Sequence, residues 1–197
     1  MVSESKGRIE VAAAGLLARH GYHGFGLKKL SDAAGLPYGS IYHHFPGGKE
    51  EIAVSAIAGT GAQVGSMIRD GSADVFATAA ALFEFMAAKL TASEWTDGCP
   101  VGTPALDGGS DVEAVRTACV IAFDAMAGGF TELLMEMGLS EQESYELATT
   151  VIAAYEGATL LARVRRSDEP LHTVAAAMTR LIRASLAEPA AVETNSP

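Results

Sequence analysis

The sequence predicts an all-α protein, and two observations carry that prediction. Apolar residues recur at helical spacing along almost the whole chain. Strand-like alternation bounded by turn residues is missing. At 197 residues the chain is expected to hold a small terminal module on a larger body, about nine helices in all.

The first helix is expected over residues 5–20, with Ile9, Ala13, Leu16 and Leu17 on one face and Gly21 as a left-handed cap. A short second helix covers residues 27–34. Gly35-Leu36-Pro37 ends it, because Gly accepts the turn and Pro disfavours helix at the residue before it. Pro37 then opens a third helix over residues 38–45, which Pro46-Gly47-Gly48 terminates. A fourth follows over residues 49–69, carrying Ile52, Ala56 and Val64. Its interior Gly59, Gly61 and Gly65 each cost about 1 kcal/mol relative to Ala, and are read as easing its displacement. A fifth spans residues 74–92. Residues 95–109 are irregular, with room for one helical turn. Three long helices complete the chain, over residues 111–137, 140–164 and 170–187. Ser140 and Glu143 form a capping-box pattern at the start of the second of these. Residues 188–197 read as a frayed tail, giving a division into 1–50, 51–188 and 189–197.

Composition excludes several classes. With 49% hydrophobic and 19% charged residues the chain is neither disordered nor fibrous. Two cysteines, Cys99 and Cys119, supply neither a disulfide framework nor a zinc site by themselves, and they read as inert buried thiols. No stretch approaches roughly 18 uninterrupted apolar residues, and the early run 11–18 lacks a cleavage-site pattern after it. A soluble, cytoplasmic protein without metal or cofactor is expected. The net charge of -10 argues against a nucleic-acid partner, but it is unevenly distributed. Residues 1–50 hold six basic against four acidic residues, net +2, and the remainder eight against twenty, net -12. Four of the five histidines lie in that first segment, and residues 33–49 contain no carboxylate.

Two short helices joined by a three-residue turn containing Gly make a helix-turn-helix, whose second helix enters the major groove. Ile41 and Phe45 share a face and anchor the third helix. Gly39, Ser40 and His43 then point outward, with Tyr42 and His44 at the flanks. Gly39 lets the backbone approach a duplex, Ser40 and His43 can bond base edges, and Tyr42 and His44 can donate to phosphates. Lys49 opposes the dipole of the next helix, where a phosphate would be held by Lys and free backbone N–H groups together. Lys6 and Arg8 repeat that logic more weakly. The same geometry also occurs as an αα-corner in helical enzymes.

The stretches Gly21-Tyr22-His23-Gly24-Phe25-Gly26-Leu27 and Ala34-Gly35-Leu36-Pro37-Tyr38-Gly39-Ser40-Ile41-Tyr42-His43-His44-Phe45-Pro46-Gly47-Gly48-Lys49-Glu50 resemble the DNA-binding domain of TetR-family transcriptional repressors. The Pro-Gly-Gly-Lys-Glu junction and Gly98-Cys99-Pro100-Val101-Gly102-Thr103-Pro104-Ala105-Leu106 resemble the drug- and flavonoid-responsive subgroup that controls multidrug efflux. The resemblance implies that Tyr38, Gly39, Ser40, Tyr42, His43, His44 and Lys49 contact operator DNA; Lys28 joins this set. Gly26 and Leu27 stand where many members carry Thr or Ser, which implies a lost side-chain cap. Tyr38 replaces a frequent Lys.

The resemblance further implies a homodimer paired through its last two helices. Ala154, Gly157, Ala158 and Leu161, with Val174, Ala177, Met178 and Leu181, give apolar faces suited to that pairing or to an intramolecular core. An effector pocket is implied among helices four to seven, with Gln63, Met67, Phe83, Met86, Trp95, Cys99, Phe123, Met126 and Tyr155 as candidates, since an apolar ligand needs aromatic and Met walls with a few polar anchors. Arg163, Arg165 and Arg166 read as complements to a helix C-terminus. The expected function is a ligand-responsive repressor without catalytic activity, in which the ligand moves the fourth helix. An all-α enzyme and a helical interaction protein are the alternatives, although no catalytic or metal-spaced cluster is evident.

Overall fold

The computed structural model describes residues 2–71 and 74–187; the tail expected over 188–197 lies outside them. Among the described residues there are nine α-helices, one short 3-10 turn and no strand.

α1 (Val2–Gly24) breaks at Gly21, whose φ of 67° suits glycine, and resumes for one short turn. A side chain at Gly21 would also collide with the Asp107 carboxylate. α2 (Leu27–Ala34) starts at Gly26 with no side-chain cap, and ends at Gly35 in the left-handed region. α3 (Tyr38–His44) is anchored by Ile41, and Phe45 follows it into the core. These two side chains belong to the same buried apolar cluster as Ile9, Ala13 and Leu17 of α1 and Leu30 of α2, a cluster that continues into the body.

The body is built from α4 (Gly48–Gly71), α5 (Val75–Ala92), α6 (Gly102–Leu106), α7 (Glu113–Glu136), α8 (Glu141–Arg165) and α9 (Glu169–Ala187). Asp74 caps α5, accepting from the Phe76 and Ala77 N–H groups. The capping box of α8 forms with both of its bonds, Glu143 N–H to Ser140 Oγ and Ser140 N–H to Glu143 Oε2. The Ser140 hydroxyl, which also donates to Glu143 Oε2, and after it the Ser140 N–H hold the Glu143 carboxyl below its usual range. α6 and a 3-10 turn at Gly109–Asp111 occupy the stretch where one helical turn is expected.

α4 runs against α7, and two of its three interior glycines, Gly61 and Gly65, have a different physical role from the one the sequence suggests. A Cβ on Gly61 would lie 2.4 Å from Ala122 Cα, and one on Gly65 2.4 Å from the Ala125 carbonyl oxygen. Gly129 returns the same contact toward Gly65 and Ile68. These glycines let two helix backbones touch, so they fix α4 to α7 instead of loosening it. α5 and α7 come nearer to a membrane span than the sequence suggests, with mean hydropathies of 1.4 and 1.5 over suitable lengths. Each sends large side chains into the core, such as Leu82 and Phe83 from α5 and Phe130 and Leu134 from α7.

Candidate nucleic-acid interface and body cavity

The exposed face of α3 carries the residues picked out by the sequence. Tyr38 and Tyr42 are 45% and 48% exposed, although both are large and partly apolar. Gly39 and His43 are exposed, and Ser40 and His44 are half-buried. His43 and His44 meet edge to face at 5.2 Å. A side chain at Gly39 would meet nothing within 4 Å, so packing inside this chain does not require glycine there.

The surrounding cations are less free than their sequence positions suggest. Lys49 Nζ sits 4.5 Å from the Tyr22 ring centre and 5.9 Å from that of Phe25, a cation–π cradle that holds the ammonium near the head surface. The phosphate seat expected at the start of α4 is partly filled, because Gly47 N–H donates to the Glu51 carboxylate at 2.7 Å. Arg8 is engaged as well, through one of its nitrogens. Its Nη2 donates to the Ala34 carbonyl at 2.6 Å, neutralising the C-terminal end of α2 and locking α1 to it. Lys6 pairs with Glu10 at 4.0 Å and lies 5.6 Å from the Phe45 ring centre. Lys28 pairs with Asp32 at 3.3 Å while both remain largely exposed. Screening by water makes such a pair weak, so Lys28 stays available to an anion.

The body contains a cavity of about 360 Å³. Gln63, Met67, Met86, Cys99, Met126 and Tyr155 line it, six of the candidates named above. Phe83 stands behind the wall, fully buried and edge-on to Tyr155 at 5.6 Å. Phe123 lines a separate groove with Tyr145 and Ile152. Trp95 lies on a turn with φ 64°, packed against the core and outside the lining. Sequence reasoning misses Val11, Ala14 and Gly15 of α1, and Thr60, Lys89 and Asp97. A signal for the first three exists: Val11 is an apolar residue on the face of α1 away from the head core, and it is 75% exposed.

Burial pushes the Cys99 thiol well up, helped by nearby Glu156, and it pushes up Cys119, beside Asp107. Both thiols are therefore held protonated and poorly nucleophilic. Among the described residues no group of three His, Cys, Asp or Glu side chains converges as a metal site.

On α8, Gly157 and Leu161 are exposed, in a stripe with Ala153, Leu160 and Val164, and Ala154 is half-buried. Val174, Ala177 and Met178 of α9 are half-buried and Leu181 is exposed. Ala158 departs from the expected face: it is 1% exposed inside the protomer, because it points toward the core instead of outward. Arg163 stands in the last turn of α8 with Arg165, as the sequence suggests, and has a second role. It reaches across to donate to the Thr96 carbonyl at 2.9 Å and the Arg19 carbonyl at 3.4 Å.

Comparison with known proteins decides what this arrangement belongs to. Residues 9–56 match the model for bacterial regulatory proteins of the tetR family, and residues 75–177 match that for the C-terminal domain of LmrA/YxaF-like transcriptional regulators. The chain belongs to the TetR family. Among TetR-family relatives, the HTH-type transcriptional regulator YxaF of Bacillus subtilis is 32% identical over 183 residues, 91% of this chain and 96% of that one. LmrA of the same organism is 31% identical, covering 91% and 97%. A solved structure of the TetR-family regulator CifR, a cysteine mutant complexed with a 26-bp double-strand operator DNA, aligns with a TM-score of 0.68 at 27% identity, covering 87% of this chain and 94% of that one. A TetR-family chain of this composition is a DNA-binding transcriptional regulator with an N-terminal helix-turn-helix.

Proposed function

We propose that this regulator is a cytoplasmic, dimeric repressor, released from its operator when a small, largely apolar molecule enters the body cavity. Residues 1–50 act as the reading head and 51–188 as the sensing and pairing body. The observation that carries this reading is one continuous path. α3 keeps its carboxylate-free outer face exposed and packs on α1 through its inner face at Ile41, and α1 also walls the 360 Å³ cavity together with α4. In this reading Tyr38, Gly39, Ser40, Tyr42, His43 and His44 meet the operator, with Lys28 and Lys49 on phosphates. Gly157, Leu161 and Leu181 supply exposed apolar surface for the partner protomer. Pairing sets the spacing of the two reading heads, which suits half-sites about 34–36 Å apart.

A mobility-shift titration on duplexes selected from a random pool, repeated across salt concentrations, tests the reading. Binding should weaken steeply as salt rises, because bound phosphates release counterions. Lys49→Ala should weaken binding to every duplex alike and reduce the salt slope by about one. Tyr42→Ala should cost about tenfold in affinity while leaving the circular dichroism spectrum unchanged. A salt-independent shift, or no selected duplex at all, would leave the helical-enzyme and interaction-protein alternatives standing.

A further inference from the structure

The end of α1 is fastened to the body by a compact set of bonds around residues 94–98. Gly98 N–H donates to the Ala18 carbonyl at 2.9 Å. Arg19 Nε donates to Asp97 Oδ1 at 2.8 Å, and Arg163 braces the pair from α8 through the Thr96 and Arg19 carbonyls. Gly98 cannot carry a side chain here, since a Cβ would lie 2.7 Å from Thr103 Oγ1 and 3.3 Å from the Ala18 oxygen. The chain enters this fastening through Glu94 and Trp95, two successive non-glycine residues in the left-handed region, at φ 50° and 64°. Such a conformation persists only where surrounding bonds impose it. Those bonds are present: Trp95 N–H to the Leu90 carbonyl at 2.7 Å, and Asp97 N–H to Ser93 Oγ at 3.2 Å.

Asp97 belongs to two sites at once. It lines the body cavity beside Lys89 and Pro100, and its side chain keeps 20% exposure while holding Arg19, which is 46% exposed. An ion pair so wet is weakly held. A donor arriving from the cavity side, where Met86, Met126 and Tyr155 give the ligand body apolar contact, therefore competes with Arg19 for the same carboxylate.

We propose that Asp97 is the latch between effector and reading head: an apolar ligand that presents an ammonium or hydroxyl donor to Asp97 displaces Arg19, frees the end of α1 and lowers operator affinity. The inference rests on the effector-cavity reading and names the effector chemistry that reading leaves open. It also separates occupancy from response. A ligand of the same shape without a donor fills the cavity and leaves the head fastened.

Three probes with one apolar body test this: naphthylmethylamine, naphthylmethanol and methylnaphthalene. Equilibrium dialysis against the full chain reads occupancy, amide hydrogen exchange at Gly98 reads the latch, and affinity for a selected duplex reads the head. The amine and the alcohol should each speed Gly98 exchange and weaken duplex binding by about tenfold. Methylnaphthalene should bind and do neither. In Asp97→Asn the three probes should lose their differences, and Arg19→Gln should show fast Gly98 exchange with no probe present. The proposal is overturned if methylnaphthalene acts like the amine, if Asp97→Asn still discriminates, or if Arg19→Gln exchanges like the unaltered chain. Occupancy with no effect from any probe sinks the latch alone; absence of occupancy by all three sinks the effector-cavity reading with it.

Discussion

Glu156 shows how a single side chain escapes a reading of the sequence. It keeps a sliver of exposed surface, yet its Oε1 is sealed from solvent and meets no donor among the described residues. Its Oε2 occupies space that a Cβ on Gly102 would claim at 2.4 Å, so the absence of a side chain far away in the chain creates its site. Burial raises the Glu156 pKa from 4.5, and the Cys99 thiol bond pulls it part of the way back. A carboxyl whose folded value is raised contributes its stability below the unfolded value and loses it as pH climbs through the folded one. Glu156→Gln should therefore stabilise the fold by about 1–2 kcal/mol at pH values above the folded titration, where an ionised and unpaired oxygen is costly. That advantage should vanish below about pH 4.5, the ordinary value of the group. Urea denaturation at a series of pH values checks this, and a gain independent of pH would contradict it. The α3 residues were legible because their types and spacing already describe a face. The aromatic cradle of Lys49 and the capture of Gly47 N–H by Glu51 were not, since both depend on side chains brought together by the turn.

At the scale of elements, the glycines of α4 divide by what faces them. Gly59 is exposed with nothing within 4 Å of a built Cβ, whereas Gly61 presses on the Ala122 backbone. Gly59→Ala should stabilise by up to about 1 kcal/mol, the helix-propensity difference. Gly61→Ala should cost about 1–3 kcal/mol, because two backbones must separate to admit a methyl group. Thermal denaturation of the two variants reads the contrast directly, and equal effects would mean that α4 and α7 are not in contact as described. Helix positions were legible to within a few residues because periodicity, Gly35-Leu36-Pro37 and the Ser140 box are local signals. The stretch between α5 and α7 was not. Its path is dictated by partners distant in sequence: Ala18 for Gly98, and the His23 N–H for Asp107 at 2.9 Å.

The molecule as a whole carries its charge in two parts, net +2 over residues 1–50 and net -12 beyond. In the proposed reading an acidic body is repelled by the duplex, affinity comes from the small head, and pairing two heads would multiply what one provides. The proposed partner surface is the α8 stripe, in which Leu160, Leu161 and Val164 are 53%, 46% and 74% exposed. Leu161→Glu together with Val164→Asp should give a monomer in sedimentation and lose most affinity for a duplex with two half-sites. A variant that stays dimeric would move the interface elsewhere. The all-α architecture was visible in periodicity, whereas the extent of contact between residues 1–50 and the rest was not. Val11, Ala14 and Gly15 are where that matters. The helix that supports the proposed operator-reading surface is also a wall of the proposed effector cavity, so in that reading its sequence answers to two demands. Grafting the first 50 residues of a relative onto this body would thus change both which DNA the hybrid recognises and which molecules it responds to.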